Sequence, residues 1–180
     1  MITLVLGGAR SGKSRVAERL AAELPEPVTY IGTAATHSDS DDPDRDGLDR
    51  DDPDMAARIA VHRARRPATW RTVEAGQHLC AALTGSNATV LVDSLGAWVA
   101  ACPDFDVDVD ALRSAICGRA GDTVIVSEEV GLGVHPSSAA GRRFRDTLGL
   151  VNQMVAELAD EVLLVVAGRI LRLEQLSASP

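Results

Sequence analysis

One eight-residue run constrains this chain more than any other: Gly7-Gly8-Ala9-Arg10-Ser11-Gly12-Lys13-Ser14, a G-x-x-x-x-G-K-[ST] phosphate loop. Its flanks are those the motif requires. Ile2-Thr3-Leu4-Val5-Leu6 is β-branched and aliphatic, long enough for a strand buried on both faces. Behind the loop, Val16, Ala17, Leu20, Ala21 and Leu24 recur at helical spacing, predicting a helix over 13–24 that Pro25 stops. The glycines let backbone N–H groups curl around a phosphate with no Cβ in the way, and the helix N-terminus faces the same anion. Lys13 offers a compact ammonium to β/γ oxygens, where Arg would bring a planar fork, and Ser14 offers a hydroxyl for Mg²⁺. These residues predict binding of a nucleoside triphosphate, ATP or GTP.

The rest of the chain repeats the alternation. Val28–Ile31, Thr69–Val73, Thr89–Asp93, Thr123–Ser127, Glu161–Ala167 and Ile170–Leu173 read as strands. Helices are expected over Asp54–Arg66, with Asp54 as cap, and over Gly76–Leu83, Ala111–Cys117 and Ala139–Leu158. The polar, Asp-rich, Pro-punctuated stretch 38–53 reads as a mobile solvated loop. Strands alternating with helices predict an α/β fold with a mostly parallel sheet flanked by helices. Its 180 residues fit one nucleotide-binding domain, 1–180, with no internal repeat.

The basic residues are unevenly chosen. Of 18 Lys plus Arg, 17 are arginine, and Lys13 is the sole lysine. No second lysine exists to build the Asn-Lys-x-Asp guanine reader of switch GTPases, so a RecA-like arrangement is expected instead. The net charge of −8 argues against a nucleic-acid or anionic-membrane partner. That charge is local: Asp39 to Asp54 holds nine Asp and two Arg, a balance of −7. No window approaches the roughly 18 uncharged apolar residues of a membrane span, and the N-terminus lacks a signal-peptide pattern, so a cytoplasmic location is expected. Cys80, Cys102 and Cys117, odd in number and widely spaced, fit free or buried thiols rather than a zinc site.

Asp93 ends the aliphatic run Val90-Leu91-Val92, the position of a Walker-B carboxylate that holds Mg²⁺, partly through water, or of a simple capping Asp. Glu128 and Glu129 end the next strand and reach the same C-terminal edge, as base, as substrate contact or as solvated charges. His62-Arg63-Ala64-Arg65-Arg66-Pro67 sets an imidazole beside three guanidiniums. Guanidiniums pair bidentately with polyphosphate oxygens, and nearby cations favour a neutral, nucleophilic imidazole. An Arg-decorated helix end is the alternative. The residue types alone do not separate His62 from His37, His78 or His135.

The same stretches, in order, resemble the bifunctional adenosylcobinamide kinase / adenosylcobinamide-phosphate guanylyltransferases of cobalamin biosynthesis. The matching residues are the loop Gly7–Ser14, Tyr30-Ile31-Gly32-Thr33-Ala34, and Asp54-Met55 through Arg58-Ile59 to His62-Arg63. They continue with Arg66-Pro67, Trp70, Thr72, Glu74, Val92-Asp93-Ser94-Leu95 and Trp98. Later come Val126-Ser127, Glu129-Val130-Gly131-Leu132-Gly133, Gly141-Arg142, Phe144-Arg145-Asp146, Val151-Asn152-Gln153 and Ala159-Asp160-Glu161-Val162. The His-Arg…Arg-Pro…Trp…Thr…Glu run is far more specific than the phosphate loop.

The resemblance implies two activities. A phosphate from ATP or GTP goes to adenosylcobinamide; then GTP gives GMP to a histidine, releasing pyrophosphate, and the histidine passes GMP to adenosylcobinamide phosphate, forming adenosylcobinamide-GDP. It places His62 at the nucleophile position, with Lys13 as its catalytic companion in the loop. It implies nucleotide contacts from Gly7, Gly8, Ala9, Arg10, Ser11, Gly12, Lys13, Ser14, Gly32, Thr33, Ala34, Arg63, Ala64, Arg65, Arg66, Glu74 and Asp93, Mg²⁺ at Ser14 and Asp93, and a homo-oligomer.

Three positions depart from the family pattern. Glu128 stands where Asn commonly precedes Glu-Val-Gly, Ser94 replaces the usual cysteine of Asp-Cys-Leu, and the Asp-rich stretch from Asp39 is longer than expected. That stretch reads as a solvated insertion or as a lid that touches corrinoid or a partner. None of the three touches the His62 motif. A plain P-loop small-molecule kinase and a nucleotide-dependent docking protein are the competing readings.

Overall fold

The computed structural model describes residues 1–34 and 66–175. The expected loop 38–53, His37, His62, Arg63, Ala64, Arg65 and all of the expected helix 54–66 except its last residue lie outside the described residues. Arg66 itself sits in a bend.

Seven strands form one sheet: β1 (Ile2–Gly7), β2 (Val28–Gly32), β3 (Arg71–Glu74), β4 (Thr89–Asp93), β5 (Thr123–Glu128), β6 (Glu161–Val166) and β7 (Arg169–Leu173). Their order is β3-β2-β4-β5-β1-β6-β7. All pairs are parallel except the terminal β6–β7 hairpin. β5 therefore separates β1, which runs into the phosphate loop, from β4, which ends in Asp93. This is the RecA-like P-loop arrangement that the sequence predicts.

Alternation along each strand sorts the core onto two faces. Val5, Val28, Tyr30, Leu91, Val124, Val126 and Val165 pack with Ala17 and Ala21 of α1 (Lys13–Ala22) and with Trp70. Leu4, Leu6, Ile31, Val90, Val92 and Ile125 face the other way. There they meet α2 (Leu79–Thr84), α3 (Leu95–Ala101), α4 (Val109–Cys117) and α5 (Ala139–Leu158). The core is aliphatic, each fully buried Leu or Ile contributing about 1.5–3 kcal/mol.

Four elements shift an end by two or three residues: α1 stops at Ala22, α2 runs Leu79–Thr84 rather than from Gly76, α4 starts at Val109, and β3 runs Arg71–Glu74 rather than 69–73; β1, β2, β5, β6 and β7 shift an end by one. The helix α3 and a 3₁₀ turn at Pro103–Phe105 are additions. Leu95, Gly96, Trp98 and Val99 of α3 are buried, and the more exposed positions, Ala97, Ala100 and Ala101, are apolar too, so no polar face reveals the period. Cys80, Cys102 and Cys117 are free thiols, and burial pushes those of Cys80 and Cys102 above the usual range. No helix among the described residues is long and apolar enough to cross a membrane.

Candidate active site

Register brings the chemistry to one edge. Glu74, Gly32 and Asp93 lie side by side at the C-terminal tips of β3, β2 and β4. Gly7 and Glu128 do the same on β1 and β5. In an open parallel sheet this is the edge where ligands bind.

The phosphate loop bridges the end of β1 and the start of α1. Gly7 cannot be replaced without movement: a Cβ there would lie 2.5 Å from Ser11 Oγ and 2.8 Å from the Val165 carbonyl oxygen. Gly12, immediately before α1, has φ +95°, the left-handed region that favours glycine. Arg10 also has positive φ, 56°. Ser11 Oγ is buried with no hydrogen-bond partner, an unmet polar atom in a loop whose sequence suits phosphate. Lys13 is only 9% exposed. Its Nζ turns back over the loop, 3.4 Å from the Gly8 carbonyl oxygen and 3.3 Å from Glu128 Oε1.

Two hydroxyls donate to the Asp93 carboxylate. Ser14 Oγ donates to Oδ1 at 3.3 Å, and the Tyr30 hydroxyl donates to Oδ2 at 3.2 Å. Burial, and then the Asp93 charge, push the Tyr30 hydroxyl far above its ordinary value, so it stays protonated as a donor. The Ser14 hydroxyl and Asp93 carboxylate form a hard oxygen pair at the mouth of the loop, a donor set that fits Mg²⁺.

Two further layers surround these groups. Thr33, fully buried, donates through Oγ1 to the Ser94 carbonyl oxygen at 2.5 Å and accepts from the Ser94 amide at 2.9 Å. That lock ties the tip of β2 to the start of α3, where Ser94 Oγ caps by accepting from the Ala97 amide. Ser94 Oγ also lies 3.0 and 2.9 Å from the two Glu128 carboxylate oxygens, to which it donates.

On the β3 side, the Arg66 guanidinium sits 3.2 Å from the centroid of the Tyr30 ring. Its Nε and Nη1 are buried without hydrogen-bond partners. A pocket of about 270 Å³ opens beside it, lined by Arg66, Pro67, Ala68, Trp70 and Thr72. Glu74 closes over Gly32, where a Cβ would come within 2.6 Å of Glu74 Oε2.

Of the site residues expected from the sequence, the structure gathers Gly7–Ser14, Gly32, Thr33, Glu74 and Asp93 at one edge; Ala34, half-buried, follows Thr33. Among the other histidines that are described, His78 precedes α2, and His135 Nδ1 is 2.9 Å from Arg145 Nη1. Tyr30 enters the sequence reading only as a family-pattern position and Ser94 only as a departure from one; neither contact could be foreseen there. Their partners lie 63 and 34 positions away, and the only local signal was Ser94 before Leu95-Gly96-Ala97-Trp98, a capping pattern.

A family model described as cobinamide kinase / cobinamide phosphate guanyltransferase matches residues 3–173. The chain is 41% identical over 177 residues to the bifunctional adenosylcobalamin biosynthesis protein CobP of Pseudomonas aeruginosa, covering 93% of this chain and 94% of that one. It is 38% identical to the CobU protein of Salmonella typhimurium over 190 residues, covering 93% and 97%. The CobU of Escherichia coli is 38% identical over 191 residues with the same coverage. Among solved structures, the flagellar accessory protein FlaH of Methanocaldococcus jannaschii aligns over 94% of this chain and 74% of its own, with TM-score 0.46 and 14% identity.

Proposed function

This chain belongs to the cobinamide kinase / cobinamide phosphate guanyltransferase family, and we propose that its nucleotide-binding edge serves both transfers, with His62 as the covalent carrier of GMP. The chain is a P-loop transferase acting on cobinamide and on GTP or ATP. The observation that carries the reading is the convergence of Lys13, Ser14 and Asp93 on the start of α1.

In the kinase reaction the γ-phosphoryl group moves from ATP or GTP to the hydroxyl of adenosylcobinamide. Backbone N–H groups of Gly7 to Ser14 and the Lys13 ammonium hold the phosphates in place and offset their charge. Ser14 and Asp93 would hold Mg²⁺, the latter partly through water; when bound, the ion screens the triphosphate and polarises its oxygens. Glu74, Gly32, Thr33 and Ala34 line the same edge and contact the nucleotide.

In the guanylyl transfer, the neutral imidazole of His62 attacks the α-phosphorus of GTP. The N–P bond forms as the α–β bridging P–O bond breaks, and pyrophosphate leaves. Arg63, Arg65 and Arg66 pair with the oxygens on which charge accumulates, while the backbone at Ala64 spaces them. Each positioned cation is worth roughly 3–4 kcal/mol at the transition state, by analogy with oxyanion donors. A phosphate oxygen of adenosylcobinamide phosphate then attacks the same phosphorus, the N–P bond breaks, and adenosylcobinamide-GDP is released. Composition and charge support a cytoplasmic location with no nucleic-acid or membrane partner, and the family resemblance supports a homo-oligomer.

Product analysis tests the reading. With adenosylcobinamide, ATP, GTP and Mg²⁺, mass spectrometry is expected to find adenosylcobinamide phosphate first and adenosylcobinamide-GDP after it. Accumulation of the monophosphate alone, with GTP in excess, makes the chain a plain kinase. Neither product leaves a nucleotide-dependent docking protein.

A further inference from the structure

Glu128 is held more elaborately than a solvated strand-tip charge requires. It ends β5 directly opposite Gly7, where the phosphate loop begins. Ser94 Oγ donates to its carboxylate from the start of α3, and Lys13 Nζ meets it from the first turn of α1. Its carbonyl oxygen accepts from Asn152 Nδ2 of α5 at 3.1 Å, while Asn152 Oδ1 accepts from buried Ser127 Oγ at 2.6 Å. A Cβ on Gly96 would overlap the carboxylate and lie 2.9 Å from its Cδ, so the missing side chain there makes its room. The Lys13 side chain is 11% exposed and that of Glu128 is 29% exposed. The open side of this ion pair is therefore the carboxylate, facing the edge where the acceptor must approach.

Two strand-tip carboxylates thus bracket the first turn of α1. Asp93 is engaged by Ser14 and Tyr30; Glu128 stands on the Lys13 side. Only one of the transfers breaks an O–H bond. The imidazole attacks through a lone pair, and the attacking oxygen of adenosylcobinamide phosphate carries no proton to remove. The alcohol of adenosylcobinamide does carry one.

Resting on the function proposed above, we infer that Glu128 is the acceptor-side carboxylate of the kinase reaction. One of its oxygens accepts the hydrogen bond of the alcohol, aiming the alcohol oxygen at the γ-phosphorus. The new O–P bond forms, the bond from γ-phosphorus to the β,γ-bridging oxygen breaks, and nucleoside diphosphate leaves. The alcohol proton passes to Glu128 and on to water as product departs. Ser94 is a positioning residue that holds the carboxylate in this attitude.

The two reactions can be assayed apart: γ-labelled ATP with adenosylcobinamide, and α-labelled GTP with ready-made adenosylcobinamide phosphate. Glu128→Ala is expected to lower the kinase kcat about 10²-fold, with KM for ATP and the guanylyl transfer staying within about threefold of wild type. Glu128→Gln, which keeps an acceptor oxygen, loses less than Glu128→Ala; Ser94→Ala loses about tenfold, again from kcat. A Glu128→Ala kinase kcat within about threefold of wild type overturns the assignment, as does a proportional fall in both reactions. A wild-type chain that makes no adenosylcobinamide phosphate overturns the functional reading and this assignment with it. Wild-type phosphorylation with an unaffected Glu128→Ala overturns the assignment alone.

Discussion

Asp93 and Glu128 occupy comparable places, the C-terminal tips of the adjacent strands β4 and β5, yet their partners differ in kind. Asp93 receives two neutral hydroxyls, from Ser14 and Tyr30. Glu128 receives an ammonium and one hydroxyl, from Lys13 and Ser94. Hydroxyl donors orient a carboxylate toward a hard cation such as Mg²⁺. A carboxylate paired with the lysine of the phosphate loop becomes free to accept a hydrogen bond once that lysine turns to a triphosphate. Position on the sheet puts both residues at the candidate site, and each meets a different side of α1.

The largest effect should come from the residue that touches the second carboxylate and the phosphates alike. Lys13→Ala is expected to depress both transfers about 10³-fold, and Lys13→Arg should not restore them, because a planar guanidinium does not fit where the ammonium curls over the Gly8 carbonyl. Separate kinase and guanylyl-transfer assays on both variants check this. Rescue by Arg would show that charge alone matters in the loop.

Next is Asp93→Asn, expected to lower both reactions about 10²-fold and to raise the Mg²⁺ concentration needed for half-maximal rate. If Asp93→Asn spared the guanylyl transfer, the contrast between the two carboxylates would collapse. Gly96→Ala is a milder probe, since its methyl displaces the Glu128 carboxylate without removing it. The kinase should fall about tenfold while guanylyl transfer holds, read from the ratio of the two rates in one preparation.

The smallest effect is on stability. Burial and Asp93 raise the Tyr30 hydroxyl above its ordinary value. Below about pH 10 both folded and unfolded chains keep this proton, and nothing changes. Above it the unfolded chain releases the proton and the folded chain does not, so stability falls by up to about 1.4 kcal/mol per pH unit from this group. Urea denaturation at several alkaline pH values should show that slope in the wild type and a shallower one in Tyr30→Phe.

Much of the fold was legible because its signals are local. The phosphate loop, the aliphatic runs of β1, β4 and β5, and the apolar stripe of α5 can each be seen within one window, and α5 spans Ala139–Leu158 as predicted. α3 was not legible, since its exposed face is alanine and no polar residue marks the period of the helix. The site divides in the same way. Lys13, Ser14 and Asp93 were readable from their motifs, whereas the Ser94–Glu128 and Tyr30–Asp93 bonds join positions that only the sheet order brings together. Glu128 and Ser94 were each noticed singly, as departures from a family pattern. Their direct contact shows that the two departures concern one place in the molecule.

In the proposed reaction His62 carries GMP between GTP and the corrinoid phosphate. Incubating the wild-type protein and His62→Ala with α-phosphate-labelled GTP and Mg²⁺ tests it most directly. An acid-labile, base-stable label is expected on the wild-type protein, discharged by adenosylcobinamide phosphate and absent from His62→Ala, while that variant still phosphorylates adenosylcobinamide. A label of equal yield on His62→Ala, or guanylyl transfer by a wild-type protein that never takes up the label, would contradict it.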